Sequence, residues 1–137
     1  METIRVDVAW CNKNFSASFG ENVPGAVAFT AGTFSELQRE ARETLDFHVQ
    51  GLLDDGDDVP QWLADGDYKF EFNCLDATTL LHAYDPYLSL AAISRASGIN
   101  QHLLSHYANG LKQPRRQQRQ RIVDSIHKIG QELLTVV

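Results

Sequence analysis

The chain has 137 residues, 43% of them hydrophobic and 22% charged, with a formal net charge of −6. This is the composition of a folded globular chain, and it excludes the disordered, collagen-like and low-complexity classes. No apolar run approaches the ~20 residues of a membrane span, and Met1-Glu2-Thr3-Ile4-Arg5 holds no apolar leader core, so the expectation is a cytoplasmic protein with no membrane partner.

In chain order, Ile4–Trp10 alternates apolar Ile4, Val6 and Val8 with Arg5, Asp7 and Ala9, which predicts a strand. Asn12-Lys13-Asn14 is turn chemistry, and Phe15–Phe19 alternates again. Gly20 to Gly25 reads as a turn and 26–30 as a third short strand. Thr33-Phe34-Ser35-Glu36 has the form of a capping box, in which the Thr33 hydroxyl accepts from the Glu36 amide and the Glu36 side chain reaches back. A long helix follows, with Phe34, Leu37, Ala41, Leu45, Val49 and Leu52 as its buried stripe and Glu36, Arg39, Glu40, Arg42, Glu43 and Asp46 on the other side. Asp54-Asp55-Gly56-Asp57-Asp58 ends it, and Pro60 prevents re-entry. Tyr68–Phe72 closes the first lobe as a fourth strand. The expected fold class is α+β: a small antiparallel β-β-β-α-β lobe over residues 1–73, then an all-α helix-turn-helix domain over 74–137.

The second part has no strand pattern. Asp76 caps a helix over 77–84, Ser89 one over 90–97, and Asn100 one over 101–109, with Gly98 and Gly110 as breakers. Pro114 is expected at the first position of a long helix through Leu134, whose apolar face carries Ile122, Ile126, Ile129 and Leu133. Cys11 and Cys74 are the only cysteines. They fit no metal spacing, and both read as reduced, buried small hydrophobes.

Charge divides the chain. Residues 1–73 carry a net −9 and residues 74–137 a net +3, and opposite signs suggest two different partners. In the basic part, small Ala92, Ser94 and Ala96 let the two short helices approach closely. Gln101, His102, Ser105 and His106 are then offered on the second helix as donors and acceptors that can read base edges in a major groove. Lys112, Arg115, Arg116 and Arg119 follow at its exit, where cations suit phosphate contacts, and Ser89, Asn100 and Asn109 join them at the helix termini.

These residues carry a resemblance. Residues 88–134 resemble the lambda-repressor-like (Xre-type) helix-turn-helix family, whose Asn-Gly after the recognition helix is matched by Asn109-Gly110. Residues 4–73 resemble the HicB antitoxin lobe, a partial RNase H-like fold, through Pro24-Gly25, Ala31-Gly32-Thr33, Glu36 and Val59-Pro60 around the long helix. The resemblance implies an antitoxin of a type II toxin–antitoxin system. Its front lobe would mask a small basic HicA-like RNase toxin through Glu36, Glu40, Glu43, Asp54 and Asp55, and its rear lobe would repress the operon by binding double-stranded operator DNA. A homodimer or higher assembly is expected, because one helix-turn-helix makes few contacts and such modules pair on palindromes.

His102 and His106, four apart, could share a metal, but no third ligand is in view, and neither metal nor cofactor is expected. Asp54–Asp58 lacks the ligand spacing of a calcium loop. Asp7 on a first strand could serve an RNase H-like nuclease, but two-metal hydrolysis needs several convergent acids, and Glu36, Glu40 and Glu43 fall on the helix's solvent side, so no enzyme is expected. The alternative function is a stand-alone transcriptional regulator whose first lobe senses a small ligand.

Overall fold

A computed structural model describes residues Met1–Val137. It is mixed α and β, with one four-stranded sheet and six helices. The chain divides into two compact units, Met1–Leu75 and Asp76–Val137. No helix is long and apolar enough to cross a membrane.

The first unit contains β1 (Glu2–Cys11), β2 (Asn14–Phe19), β3 (Ala28–Ala31), α1 (Phe34–Asp54), α2 (Gln61–Ala64) and β4 (Tyr68–Cys74). The first three strands form an antiparallel meander, with Val8 opposite Ala17 and Ala17 opposite Phe29. Its first turn is tight: Cys11 pairs with Asn14, and Asn12 and Lys13 take φ of 56° and 125°. Two positive φ values match the right-handed twist of a hairpin, but Lys13 has a Cβ that resists them.

The fourth strand corrects the all-antiparallel expectation. β4 runs parallel to β1, with Ile4 beside Phe70 and Val8 beside Cys74, and the sheet order is β3-β2-β1-β4. Two hairpin reversals leave β3 running in the direction of β1, and the helix after it carries the chain back so that β4 enters in that same direction. An antiparallel neighbour can follow a two-residue turn, whereas a parallel one needs a crossover, which α1 supplies.

One sheet face is apolar. Ile4, Val6, Val8, Phe15 and Ala17 are buried there, and α1 covers them with Phe34, Leu37, Ala41, Leu45 and Val49. Their spacing of three or four residues keeps all five on one side of the helix. Leu52, expected in this stripe, is only half-buried. Aromatic rings extend the core toward β4: Phe34 meets Phe15 at 6.0 Å and Phe72 at 5.8 Å between centroids. At the rim, the Arg42 guanidinium lies 4.6 Å over the Tyr68 ring. Burial pushes the Tyr68 phenol up from its ordinary value.

Thr33 caps α1 as expected, its Oγ1 accepting from the Glu36 amide at 3.1 Å, but the Glu36 side chain returns no bond. α2 lies outside the sequence expectations, one short turn that follows Pro60. Cys74 is buried, but Cys11 is exposed near the hairpin turn, which corrects the expectation of two buried thiols.

The second unit contains α3 (Ala77–Tyr84), α4 (Leu90–Ser97), α5 (Gln101–Ala108) and α6 (Arg116–Leu133). α4 packs on α5 and α6, and α3 on α5. Ile93, Ile99, Leu104 and Ile122 fill the centre, at 1%, 3%, 0% and 0% exposure. The predicted caps form: Asp76 accepts from the Thr79 amide at 2.8 Å and Ser89 from the Ala92 amide at 3.1 Å. Pro114 is not the first residue of the last helix. Arg115 is its N-cap, with extended backbone, so Pro114 precedes the helix and stiffens the approach to it. Along α6 only Ile122 and Ser125 are buried; Ile126 and Ile129 are half-buried, and Leu133 is exposed.

Candidate nucleic-acid interface

The α4–α5 pair is built around one left-handed residue. Gly98 closes α4 with φ 75°, and its amide returns to the Ser94 carbonyl. Any Cβ here would suffer the steric strain of a left-handed backbone and would also lie 3.3 Å from Arg121 Nη2. The turn is then locked by side chains. Ser94 Oγ donates to the Ile99 carbonyl at 2.5 Å, the Ile99 amide donates to Ser97 Oγ at 3.1 Å, and Asn100 Oδ1 accepts from the His102 amide at 2.8 Å. Ile99, between the two caps, is driven into the core. The result is two eight-residue helices joined by three residues, with little freedom between them.

The exit of α5 is tied down as well. Thr78 Oγ1 donates to the Tyr107 carbonyl at 2.6 Å, and His82 Nε2 lies 2.9 Å from the Ala108 carbonyl. Both are last-turn carbonyls, where a helix runs short of its own donors; the Tyr107 carbonyl also accepts from the Gly110 amide at 3.1 Å. Gln113 Nε2 donates to the same Thr78 oxygen at 3.1 Å, anchoring the segment that leads to α6. Sequence patterns alone do not assign Thr78, His82 or Gln113 to this region. Their signal is spatial, since 29, 26 and 35 residues separate the partners.

Of the base-reading candidates, Gln101 and His102 are exposed on the first turn of α5, whereas Ser105 and His106 are half-buried. The His102 and His106 rings sit 4.5 Å apart between centroids. No group of three metal-ligating side chains includes them. Of the phosphate candidates, Ser89, Asn100, Asn109, Lys112, Arg115 and Arg116 are exposed and Arg119 is half-buried. Ser89 and Asn100 each commit an oxygen to capping, and Asn109 is the C-cap of α5. An open groove of about 780 Å3 lies alongside, lined in part by Leu103, Tyr107, Lys112, Arg115, Gln117 and Arg121. Its cations and amides suit an anionic polymer better than a small apolar ligand.

In the first unit, the acids assigned to a protein partner are spread along α1. Glu43, Asp54 and Asp55 are exposed, and Glu36 and Glu40 are half-buried. Asp55 is the C-cap of the helix, and no basic residue stands in its last turn. Asp7 lies on the opposite sheet face, since it alternates with the buried Val6 and Val8. It accepts from Asn73 Nδ2 and from Arg5 Nε, each at 3.0 Å. The Asn73 hydrogen bond, helped by the Arg5 guanidinium against some desolvation, holds the Asp7 carboxyl below its ordinary value.

Compared with family models, curated proteins and solved structures, the chain matches none.

Proposed function

We propose that the chain is a two-part regulator, the antitoxin of a HicAB-like type II toxin–antitoxin system. Its second unit binds double-stranded operator DNA as a helix-turn-helix and represses the operon, and its first unit neutralises a small basic RNase. The observation that carries the DNA reading is the locked α4–Gly98–α5 pair, which offers Gln101 and His102 on an exposed first turn. A helix presented by its N-terminal turn, with cations following, is the arrangement by which such modules enter a major groove. The net −9 of residues 1–73 supports the other half of the reading, because a basic partner is steered to it and DNA is repelled.

The chain is proposed to be no enzyme and to need no cofactor or metal. Asp7 is already engaged by Arg5 and Asn73, and it lies across the sheet from the acids of α1, so these carboxylates do not converge on one ion. The test is fluorescence anisotropy of the full chain with duplexes tiled upstream of its own gene. One duplex is expected to bind at least ~1,000-fold more tightly than random DNA at physiological salt. Equal affinity for all duplexes would overturn the operator reading.

A further inference from the structure

The first unit carries two features that its own fold does not use. Phe47 is 85% exposed in the middle of α1. One turn on, Gly51 sits inside the same helix, and a Cβ there would meet nothing within 4 Å. A glycine inside a helix weakens it, and neither a positive φ nor a close neighbour requires this one. The two residues line one groove of about 420 Å3, together with Val27, Ala28, Thr44 and Leu52. The groove runs beside β3, whose outer edge has no strand neighbour.

At about 100° per residue, Glu36, Glu40, Glu43, Phe47, Gly51 and Asp54 share one stripe of α1, and Asp55 borders it at the groove. No Lys or Arg falls in that stripe. Arg39 lies off its edge, and Arg42 turns onto Tyr68 on the other flank. The surface is therefore an aromatic knob and a notch inside an acidic frame. Buried interface aromatics ringed by polar groups are the usual binding hot spots.

We propose that Phe47 and Gly51 form the apolar centre of the partner-binding surface of the first unit, and that its occupant is a basic protein with an apolar socket ringed by Lys or Arg. This rests on the partner-binding reading of the α1 acids and adds to it the residues that give affinity. Charge decides the occupant: a second copy would set acids against acids across the contact, and nucleic acid would be repelled. The acids set the rate of encounter, Phe47 fills the socket, and Gly51 lets the partner's backbone approach the helix.

The probe is the small basic protein encoded beside this gene, titrated calorimetrically into the full-length chain and its variants. Phe47→Ala is expected to weaken binding about 30-fold. Gly51→Ala is expected to raise the melting temperature by about 4 °C and yet weaken binding about tenfold, a pair of opposite effects that a structural role would not give. Wild-type binding that neither substitution changes would overturn this proposal and leave the antitoxin reading standing. No binding by the wild type, or no such basic neighbour, would remove the reading and this proposal together. Loss of self-association in Phe47→Ala without any partner, seen by light scattering, would assign the surface to a second copy and overturn it.

Discussion

Arg121 Nη2 of α6 donates to the Ser97 carbonyl at 2.8 Å, across the C-terminal end of α4. The guanidinium meets the negative end of a helix where that helix lacks partners. Its other branch is braced by Gln118 Oε1, 3.0 Å from Nη1. Arg121 thus holds the joint between α4 and α5, the part of the second unit that must stay rigid if α5 is to be presented to a partner. Arg121→Ala is expected to destabilise the second unit by about 1 kcal/mol, an exposed but charge-assisted bond. Gly98→Ala should cost about 1–2 kcal/mol through its left-handed backbone. Urea melts followed by circular dichroism check both, and an unchanged midpoint for Gly98→Ala would contradict the strain argument.

The two groups of residues proposed to contact DNA on the second unit should separate under salt. Gln101, exposed at the start of α5, can bridge an adenine edge, so Gln101→Ala should cost the operator roughly 1–3 kcal/mol and random DNA much less. Arg116, exposed at the start of α6, is assigned to phosphate. Arg116→Ala should weaken all duplexes alike and make the log K against log salt slope shallower by about 0.9 for each phosphate no longer neutralised. If Gln101→Ala lowered both affinities equally while Arg116→Ala changed specificity, the roles would have to be exchanged.

Self-association should run through the exposed end of α6. Leu133 is 64% exposed and Leu134 84%, next to half-buried Ile129. Isolated leucines on a surface mean little, but Leu133 and Leu134 stand together with Ile129 one turn before them, an apolar cluster suited to the proposed dimer contact. Leu133→Asp is expected to convert a dimer to a monomer in light scattering at micromolar concentration and to lower operator affinity with it. A wild-type monomer, with or without DNA, would refute the dimer.

Acid should act on Asp7 in a defined direction. Its carboxyl is held below the ordinary value, first by Asn73. The stability it contributes is therefore present above the unfolded aspartate pKa of about 3.9 and is lost as pH falls through the lower folded value. In an NMR titration, Asn73→Ala should move the Asp7 pKa upward toward that of an ordinary aspartate. No movement would show that Arg5 alone sets it.

The hairpin turn offers a stabilising change. Lys13 holds φ 125°, a region where only glycine is at ease. Lys13→Gly should raise stability by about 1 kcal/mol, read as a higher urea midpoint with unchanged slope.

Most helix boundaries are legible in the sequence because their signals are local. Thr33, Asp76, Ser89 and Asn100 each accept from an amide two or three residues ahead, and such a cap is readable from a few neighbouring letters. The direction of β4 is not legible. Alternation in Tyr68–Phe72 tells which side chains face the core but not which strand lies alongside or which way it runs. α2 escapes notice because four residues carry no period. On the candidate surfaces, the sequence shows Arg121 only as one more cation near the α6 start, although its side chain serves Ser97. Phe47 falls outside the apolar stripe that the periodicity selects, and its 85% exposure is visible only with the fold in hand.

The parallel pairing of β1 with β4 also has a consequence in time. Asp7 and Asn73, which join these strands through their side chains, are 66 residues apart in the chain. The first strand made must wait for the last strand of its unit, and contacts so distant in sequence form slowly. At ribosomal speeds of about 5–20 residues per second the wait lasts several seconds, with one edge of β1 unpaired and Val8 without its neighbour Cys74. The first unit is therefore complete only once β4 has been made. A nascent chain stalled short of Cys74 would present the acids of α1 on an unfinished sheet, and the basic partner proposed for them would find no firm surface to hold.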